Sequence, residues 1–228
     1  MEFNNLVGMD KQLNYKVYVY IHVCCINNWK EVVGDLFKDI KQSGLYDKTD
    51  EIRCGVLSEN LQRDLHFFND KKIKIIGVSN ELNLYETSTI NTLYNDALID
   101  NIGTCNTYVL YLHSKGVTRS NNLCVKDWVK YMKYFNIYKH NDCLNKLIDG
   151  YDAVGVNYTT MPKMHFSGNF WWSSFDHIKK LKKCEHTYYF APEMWICSRQ
   201  EGQYHSFFNS NVNHYDERYN ENLYVKNI

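Results

Sequence analysis

Proline is nearly absent from this sequence, with two in 228 residues, and no apolar run is long enough to span a bilayer. There is no glycine-rich phosphate loop and no G-x-G-x-x-G fingerprint, which argues against a Walker-type NTPase and a dinucleotide-dependent dehydrogenase. Charge of neither sign is in excess, because 26 Lys and Arg balance 26 Asp and Glu. No overall field therefore draws the chain onto nucleic acid or an anionic membrane, and no nucleic-acid partner is expected. A small polyanion remains open as a ligand, since it needs only one local positive spot.

The chain also has no C-x-x-C pair. Its eight cysteines include the adjacent Cys24 and Cys25 in an apolar strand, and they read as reduced thiols that fill core. The N-terminus, with Glu2 and Asp10, has neither a signal-peptide nor an anchor pattern, so a cytoplasmic location is expected and the sequon at Asn157–Tyr158–Thr159 would stay bare. Cys184, His186 and His177 match no standard zinc spacing, and a metal reading there is discounted. Asp149 and Asp152 flank Gly150 as turn residues or ligands, and spacing does not decide between them.

What is present is alternation. Lys16 to Ile26 is a β-prone block, and Asn27 and Asn28 are placed to cap the helix that follows. Trp29, Val32, Val33, Leu36, Phe37 and Ile40 give that helix one apolar face, and Gly44 marks its end. Strands are expected at Glu51 to Ser58 and Lys72 to Ser79, then a helix from Glu86 to Asp100 with Ile90, Leu93, Tyr94, Ala97 and Leu98 inward. Thr107 to Gly116, TYVLYLHSKG, is a buried-strand run ending in His113, Ser114, Lys115 and Gly116. Asn121 and Asn122 precede a helix with Val125, Trp128, Val129, Met132 and Phe135 on one stripe, and Leu144, Leu147 and Ile148 extend the helical pattern. Tyr151 to Asn157 is a short strand, and the tail from Glu201 is polar and weakly patterned. This order specifies an α/β protein with a mostly parallel sheet and right-handed crossovers, one domain over residues 1–228.

Ligands of open α/β sheets gather at strand ends, so the tip of TYVLYLHSKG is the first candidate site. Lys115 suits a phosphate and Gly116 a close backbone approach; His113, on the same face of an extended chain, suits a hydrogen bond or a metal. A solvated Lys115 and a satisfied edge histidine fit the spacing equally well. Trp171 and Trp172 would point to opposite faces of a strand, leaving one free as a platform for a sugar ring, with aromatic core as the alternative for each. Glu193, between Pro192 and Met194, suits a general base in an apolar strip or a charge at a helix N-terminus.

YLHSKG, with Trp128 downstream, then HFSGNFWW and PEMW in that order, resembles the GT-A-type glycosyltransferases of the rhamnan-synthesis protein F group, including those of large DNA viruses. Tyr85, Glu86 and Thr89 resemble the segment that precedes the HSKG strand in that family, and the likeness spans about Tyr15 to Ser198. It implies a GT-A-like, Rossmann-type mixed sheet with a nucleotide half (about 15–116) and an acceptor half (about 117–228). The implied reaction uses a UDP-, GDP- or dTDP-linked sugar donor and a glycan acceptor, in the host cytoplasm if the chain is viral. Val23, Cys24 and Asn27 would lie against the nucleoside, and His113, Ser114, Lys115 and Gly116 against the diphosphate. His165, Ser167, Gly168, Asn169, Trp171 and Trp172 would shape the sugar pocket, and Glu193 would be the base. The family commonly holds manganese or magnesium through Asp-x-Asp, which this chain lacks; His113, Ser114 and Lys115 stand in its place, so a metal at His113 and a metal-free site both stay open. A non-catalytic nucleotide-sugar or carbohydrate-binding module is the alternative function.

Overall fold

The structure is a computed structural model and describes residues 14–100, 106–185 and 188–225. Glu2, Asp10 and His186 lie outside the described residues. The chain opens with β1 (Tyr15–Cys24), α1 (Trp29–Gln42), a short α2 (Leu45–Lys48) and β2 (Glu51–Leu57). The polar stretch after β2 forms α3 (Leu61–Asp64) before β3 (Ile73–Ser79), and α4 (Thr87–Ile99) leads to β4 (Asn106–His113). Next come α5 (Leu123–Lys133), a π-helical turn over Tyr134–Tyr138, α6 (His140–Ile148) and β5 (Ala153–Gly155). The last part holds the β6 (Tyr158–Thr159) and β7 (His165–Phe166) pair, β8 (Trp171–Ser174), α7 (Phe175–Ile178), α8 (Ala191–Trp195) and β9 (Tyr204–Ser206).

The central sheet has seven strands in the order β3-β2-β1-β4-β8-β5-β9, all parallel to their neighbours except β8, which is antiparallel to β4 and β5. Strand order reverses between β1 and β4, which makes a topological switch point at their carboxyl ends. Apolar clusters cover both faces of the sheet: Val19, Ile21, Leu110 and Trp172 belong to one, Tyr20, Val109, Tyr111 and Trp171 to the other. Two-sided burial explains why β1 and β4 read as continuous apolar runs.

Several local expectations are corrected. Leu98 is 51 % exposed, because it lies to one side of the Ile90–Leu93–Ala97 face that α4 buries. Asn28 is the N-cap residue of α1, but its side chain accepts no cap bond; its amide instead donates to Glu31 Oε2 at 3.2 Å. Asn122 does cap α5, its side-chain oxygen accepting the backbone N–H groups of Cys124 and Val125.

Candidate functional site

Residue pairing between β1 and β4 sets His22 directly beside His113, so two strands end together at the switch point. Beyond that pair the backbones stay stitched: Ser114 donates its N–H to the His22 carbonyl at 2.9 Å, and its hydroxyl accepts from Cys24 N–H at 2.9 Å. The chain then turns at Gly116, whose φ of 95° is a left-handed conformation that favours glycine. Asn27 holds this turn from the β1 side, donating its amide to the Val117 carbonyl at 2.7 Å.

A cavity of about 420 Å³ opens over these strand ends. Of the residues expected at the site, Cys24, His113, Ser114, Lys115, Gly116, Asn169 and Glu193 line it. Val23, Asn27, His165, Ser167, Gly168, Trp171 and Trp172 are not among the residues lining it. Val23 is fully buried in the core, and His165 is buried with its Nδ1 at 2.7 Å from the Lys163 carbonyl. Ser167 faces a neighbouring cleft of about 290 Å³.

The two tryptophans do point to opposite faces, yet neither is a platform. Both faces of the sheet are covered at β8, so Trp171 and Trp172 are each 0 % exposed. Trp172 donates its indole N–H to the Asn136 carbonyl at 2.8 Å, satisfying a polar group in the π-helical turn. Trp171 donates to Asn169 Oδ1 at 2.8 Å and stacks on Tyr111 with ring centroids 4.9 Å apart.

That scaffold converges on a carboxylate outside the expected set of site residues. Glu86 stands at the N-terminus of α4, and its Oε2 accepts from the Tyr111 hydroxyl at 2.9 Å and the Asn169 amide at 2.7 Å. Its other oxygen is 3.6 Å from His113 Nδ1. The backbone on either side of this contact is unusual, since Tyr85 and Asn169 both hold left-handed φ values, 48° and 57°. Such conformations persist only where the surroundings enforce them, and they concentrate at functional sites. The one sequence signal for Glu86 was its place in the Tyr85–Glu86–Thr89 segment of the family resemblance. His22, Arg119, Tyr189, Phe190 and Tyr215 also line the cavity without having been anticipated.

Electrostatics divides the lining groups by role. Burial pushes the His113 ring down to about 3, Lys115 lowers it further, and the Gly168 carbonyl and Glu193 oppose the shift. A neutral His113 that donates its Nε2–H to the Gly168 carbonyl at 3.0 Å keeps only a lone pair at Nδ1. The expected hydrogen bond from His113 to a diphosphate is therefore corrected: its one N–H is already committed within the protein. Burial likewise raises the Glu86 carboxyl above its ordinary range, against the pull of His22, Tyr111, Lys115 and Asn169. Both shifts favour uncharged forms, so the Glu86–His113 contact is not a charged bridge. His22, held by Thr89 Oγ1 at 2.8 Å, is lowered by burial to about 4.

Of the two cations lining the cavity, Lys115 and Arg119, Lys115 stands directly beyond the β4 tip. Its ammonium sits 3.9 Å from the centroid of the Trp128 ring, and among the described residues no carboxylate lies within ion-pair distance. Burial lowers its pKa, while Glu193 and Glu86 favour the charged form. Glu193 occupies the first turn of α8, behind Pro192, and accepts the Gly168 backbone N–H on Oε1 at 2.6 Å. Its second carboxylate oxygen has no bond of its own to a described residue. A half-buried ammonium and a fixed carboxylate thus open into one space.

A resident divalent ion does not suit this donor set. Among the described residues no group of three or more His, Cys, Asp or Glu is placed to hold a metal. At the strand tip His113 Nδ1 and Glu86 Oε1 lie 3.6 Å apart beside the competing charge of Lys115, where hard cations want several oxygens. Near the discounted zinc residues, His177 is fully buried with Nε2 at 2.9 Å from the Ile196 carbonyl, and Cys184 is bonded through its backbone to Asn91. Asp152 accepts the N–H of Gln203, 51 positions away, at 2.9 Å and stands 3.2 Å from His177 Nδ1, and Asp149 lies 3.6 Å from Lys146.

No helix among the described residues is long and apolar enough to cross a membrane. Comparison with curated proteins gives no match. Among solved structures the chain is similar to 4-diphosphocytidyl-2C-methyl-D-erythritol synthase from Anaerococcus prevotii DSM 20548, at 9% identity and a TM-score of 0.40, over 90% of this chain and 94% of that one. The model of the family described as a domain of unknown function, DUF8361, matches residues 53–223, from β2 through the site to the C-terminal tail. The chain belongs to the DUF8361 family.

Proposed function

We propose that the protein is a nucleotide-sugar-dependent glycosyltransferase that moves a hexose or deoxyhexose from a nucleoside diphosphate sugar to a hydroxyl of a glycan. One observation carries this reading: Lys115, stacked on Trp128 at the switch point, and Glu193, fixed by the Gly168 N–H, line the same cavity. The first is a charge for a leaving diphosphate, the second an acceptor for a proton. The resemblance of YLHSKG, HFSGNFWW and PEMW to the rhamnan-synthesis protein F group supports the same assignment.

In the proposed step the acceptor oxygen forms a bond to the anomeric carbon as the bond from that carbon to the diphosphate oxygen breaks. The electron pair of the broken bond leaves with the diphosphate, whose charge Lys115 and Arg119 stabilise, and the acceptor proton passes to the open oxygen of Glu193. Glu86 and His113 touch neither reacting group; through Asn169 and the Gly168 carbonyl they fix the loop that positions Glu193. No part of this step runs through a metal.

The test is incubation with UDP-, GDP- and dTDP-linked hexoses, following release of the nucleoside diphosphate with and without glycan acceptors. Release from one of them, abolished in Glu193→Gln, is expected. Nucleotide binding without release from any donor would assign the site to a non-catalytic binding module instead.

A further inference from the structure

A larger concavity lies on the far side of α8 from the proposed site. It has a volume of about 870 Å³, and Lys163, Lys180, Lys182, Lys183 and Arg199 line it against a single carboxylate, Glu185. In a chain whose charges balance overall, this is a local accumulation of one sign. Among the described residues, none of the four lysines has a carboxylate within ion-pair distance, and Arg199 reaches only Glu201, at 3.9 Å. Close like charges repel, so their grouping is a cost to the free protein that a ligand of opposite sign removes.

The lysines are not carried on a loose loop. Asn91 of α4 grips Cys184 from both sides, donating to its carbonyl at 3.0 Å and accepting its N–H at 2.9 Å. Trp195 of α8 donates its indole N–H to the Lys182 carbonyl at 2.8 Å. Leu181 and Cys184 are buried while Lys182 and Lys183 between them are exposed, so the anchored backbone turns both ammonium groups outward. From the facing segment, Lys163 lies over the Tyr188 ring at 5.7 Å.

Helix α8 joins the two concavities. Glu193 looks into the first, whereas Ala191, Met194 and Trp195 form a wall of the second. We infer that the basic groove binds an anionic oligosaccharide, a stretch of acceptor glycan bearing carboxylate, sulfate or phosphate groups, which runs past α8 to reach Glu193. The choice of a glycan rests on the transferase reading of the adjoining site. The groove itself fits it: the cations are spread over a volume larger than one phosphate needs, and Tyr188, Thr160, Ser198 and Gln200 line it with them, residue types that meet the faces and hydroxyls of sugars.

The test is fluorescence anisotropy with a labelled heparin hexasaccharide and its desulfated counterpart, at low and high salt, alongside thermal-shift titration of nucleoside diphosphates. Expected are binding of the sulfated form only, weakening with salt, and a loss of about tenfold or more in the double variant Lys182→Glu/Lys183→Glu with nucleotide binding unchanged. Because both side chains are exposed, the fold should persist; if the double variant melts early, Lys163→Ala and Lys180→Ala report the same loss singly. Equal binding of sulfated and desulfated forms, or undiminished binding in the variants, would overturn the inference. So would tighter binding to phosphatidylserine-containing vesicles or to single-stranded DNA of matched charge. A protein that binds the hexasaccharide here but releases nucleotide from no sugar donor would lose the transferase reading and keep the anion groove.

Discussion

His113 and Gly168, 55 positions apart in the chain, are joined by a 3.0 Å hydrogen bond from the imidazole Nε2–H to the glycine carbonyl. The N–H of the same glycine is bonded to Glu193 at 2.6 Å. One residue therefore links the strand that carries Lys115 to the carboxylate proposed as base, and the geometry of each depends on the other.

Replacing Gly168 should break that link. Its φ is 97°, and an added Cβ would stand 2.3 Å from Met132 Sδ and 3.0 Å from the Trp128 ring. Gly168→Ala is expected to destabilise by about 1–3 kcal/mol through overpacking, with further strain from the backbone, and to lower turnover beyond what its fall in melting temperature explains. Wild-type turnover in a folded Gly168→Ala protein would show that the linkage has no catalytic consequence.

Glu193→Gln keeps an oxygen for the Gly168 N–H but removes the proton acceptor. Turnover should fall by about two to four powers of ten while nucleoside diphosphate binding stays intact. Near-normal turnover removes Glu193 from the role of base.

Lys115→Met preserves much of the side-chain contact with Trp128 and deletes the charge. Its effect should be selective: binding of nucleoside diphosphate weakens by about ten- to a hundredfold, as for loss of a charge-assisted bond, and binding of the bare nucleoside hardly changes. Calorimetric titration of both ligands checks this, and equal losses would count against a diphosphate contact.

Glu86 separates structure from charge. Glu86→Ala orphans the Tyr111 hydroxyl and the Asn169 amide and should cost about 1–3 kcal/mol for each donor left unpaired. Glu86→Gln retains an acceptor for both and should melt close to the wild type. A positioning role requires Glu86→Gln to keep most turnover, and its loss at unchanged stability would place the Glu86 proton in the reaction.

Acid should unfold the protein earlier than its carboxylates alone would dictate. His22 is lowered to about 4, His113 to about 3 and His214 to about 4, burial being the main cause for each, so below the ordinary histidine range near 6.5 the unfolded chain binds more protons than the folded one. Their stabilising contribution is complete above about pH 6.5 and is lost as pH falls toward 4, roughly 3 kcal/mol for a fully buried ring such as His22. Glu86 acts with the opposite sign, its raised pKa favouring the fold at acid pH, and offsets part of the loss. Melting temperature measured from pH 7.5 to 4.5 should decline, and His22→Gln should flatten the curve. A flat wild-type profile contradicts the buried neutral histidines.

Much of the architecture was legible in the sequence because it follows from local pattern. The stripe of Trp29, Val33, Leu36 and Ile40 announced α1, and the unbroken apolar run before His113 announced a strand covered on both faces. Pro192 and Glu193 behaved as a helix N-terminus, and Lys115 and Gly116 ended their strand at the cavity. Alternation along β8 sets the two tryptophans on opposite faces but says nothing of what covers the sheet, and both faces are covered.

The sequence by itself determined the order of the main strands and helices from β1 to β5, the glycine turns and the presence of a cation at a strand tip, since each depends on residues a few positions apart. Only the tertiary structure decided which groups share the cavity. Glu86 is defined by Tyr111 and Asn169, 25 and 83 positions away, and His113 loses its free N–H to Gly168, 55 positions away. Burial and hydrogen bonding at such separations have no signature in spacing, because they come from packing helices and loops onto a sheet whose strand order departs from the chain order.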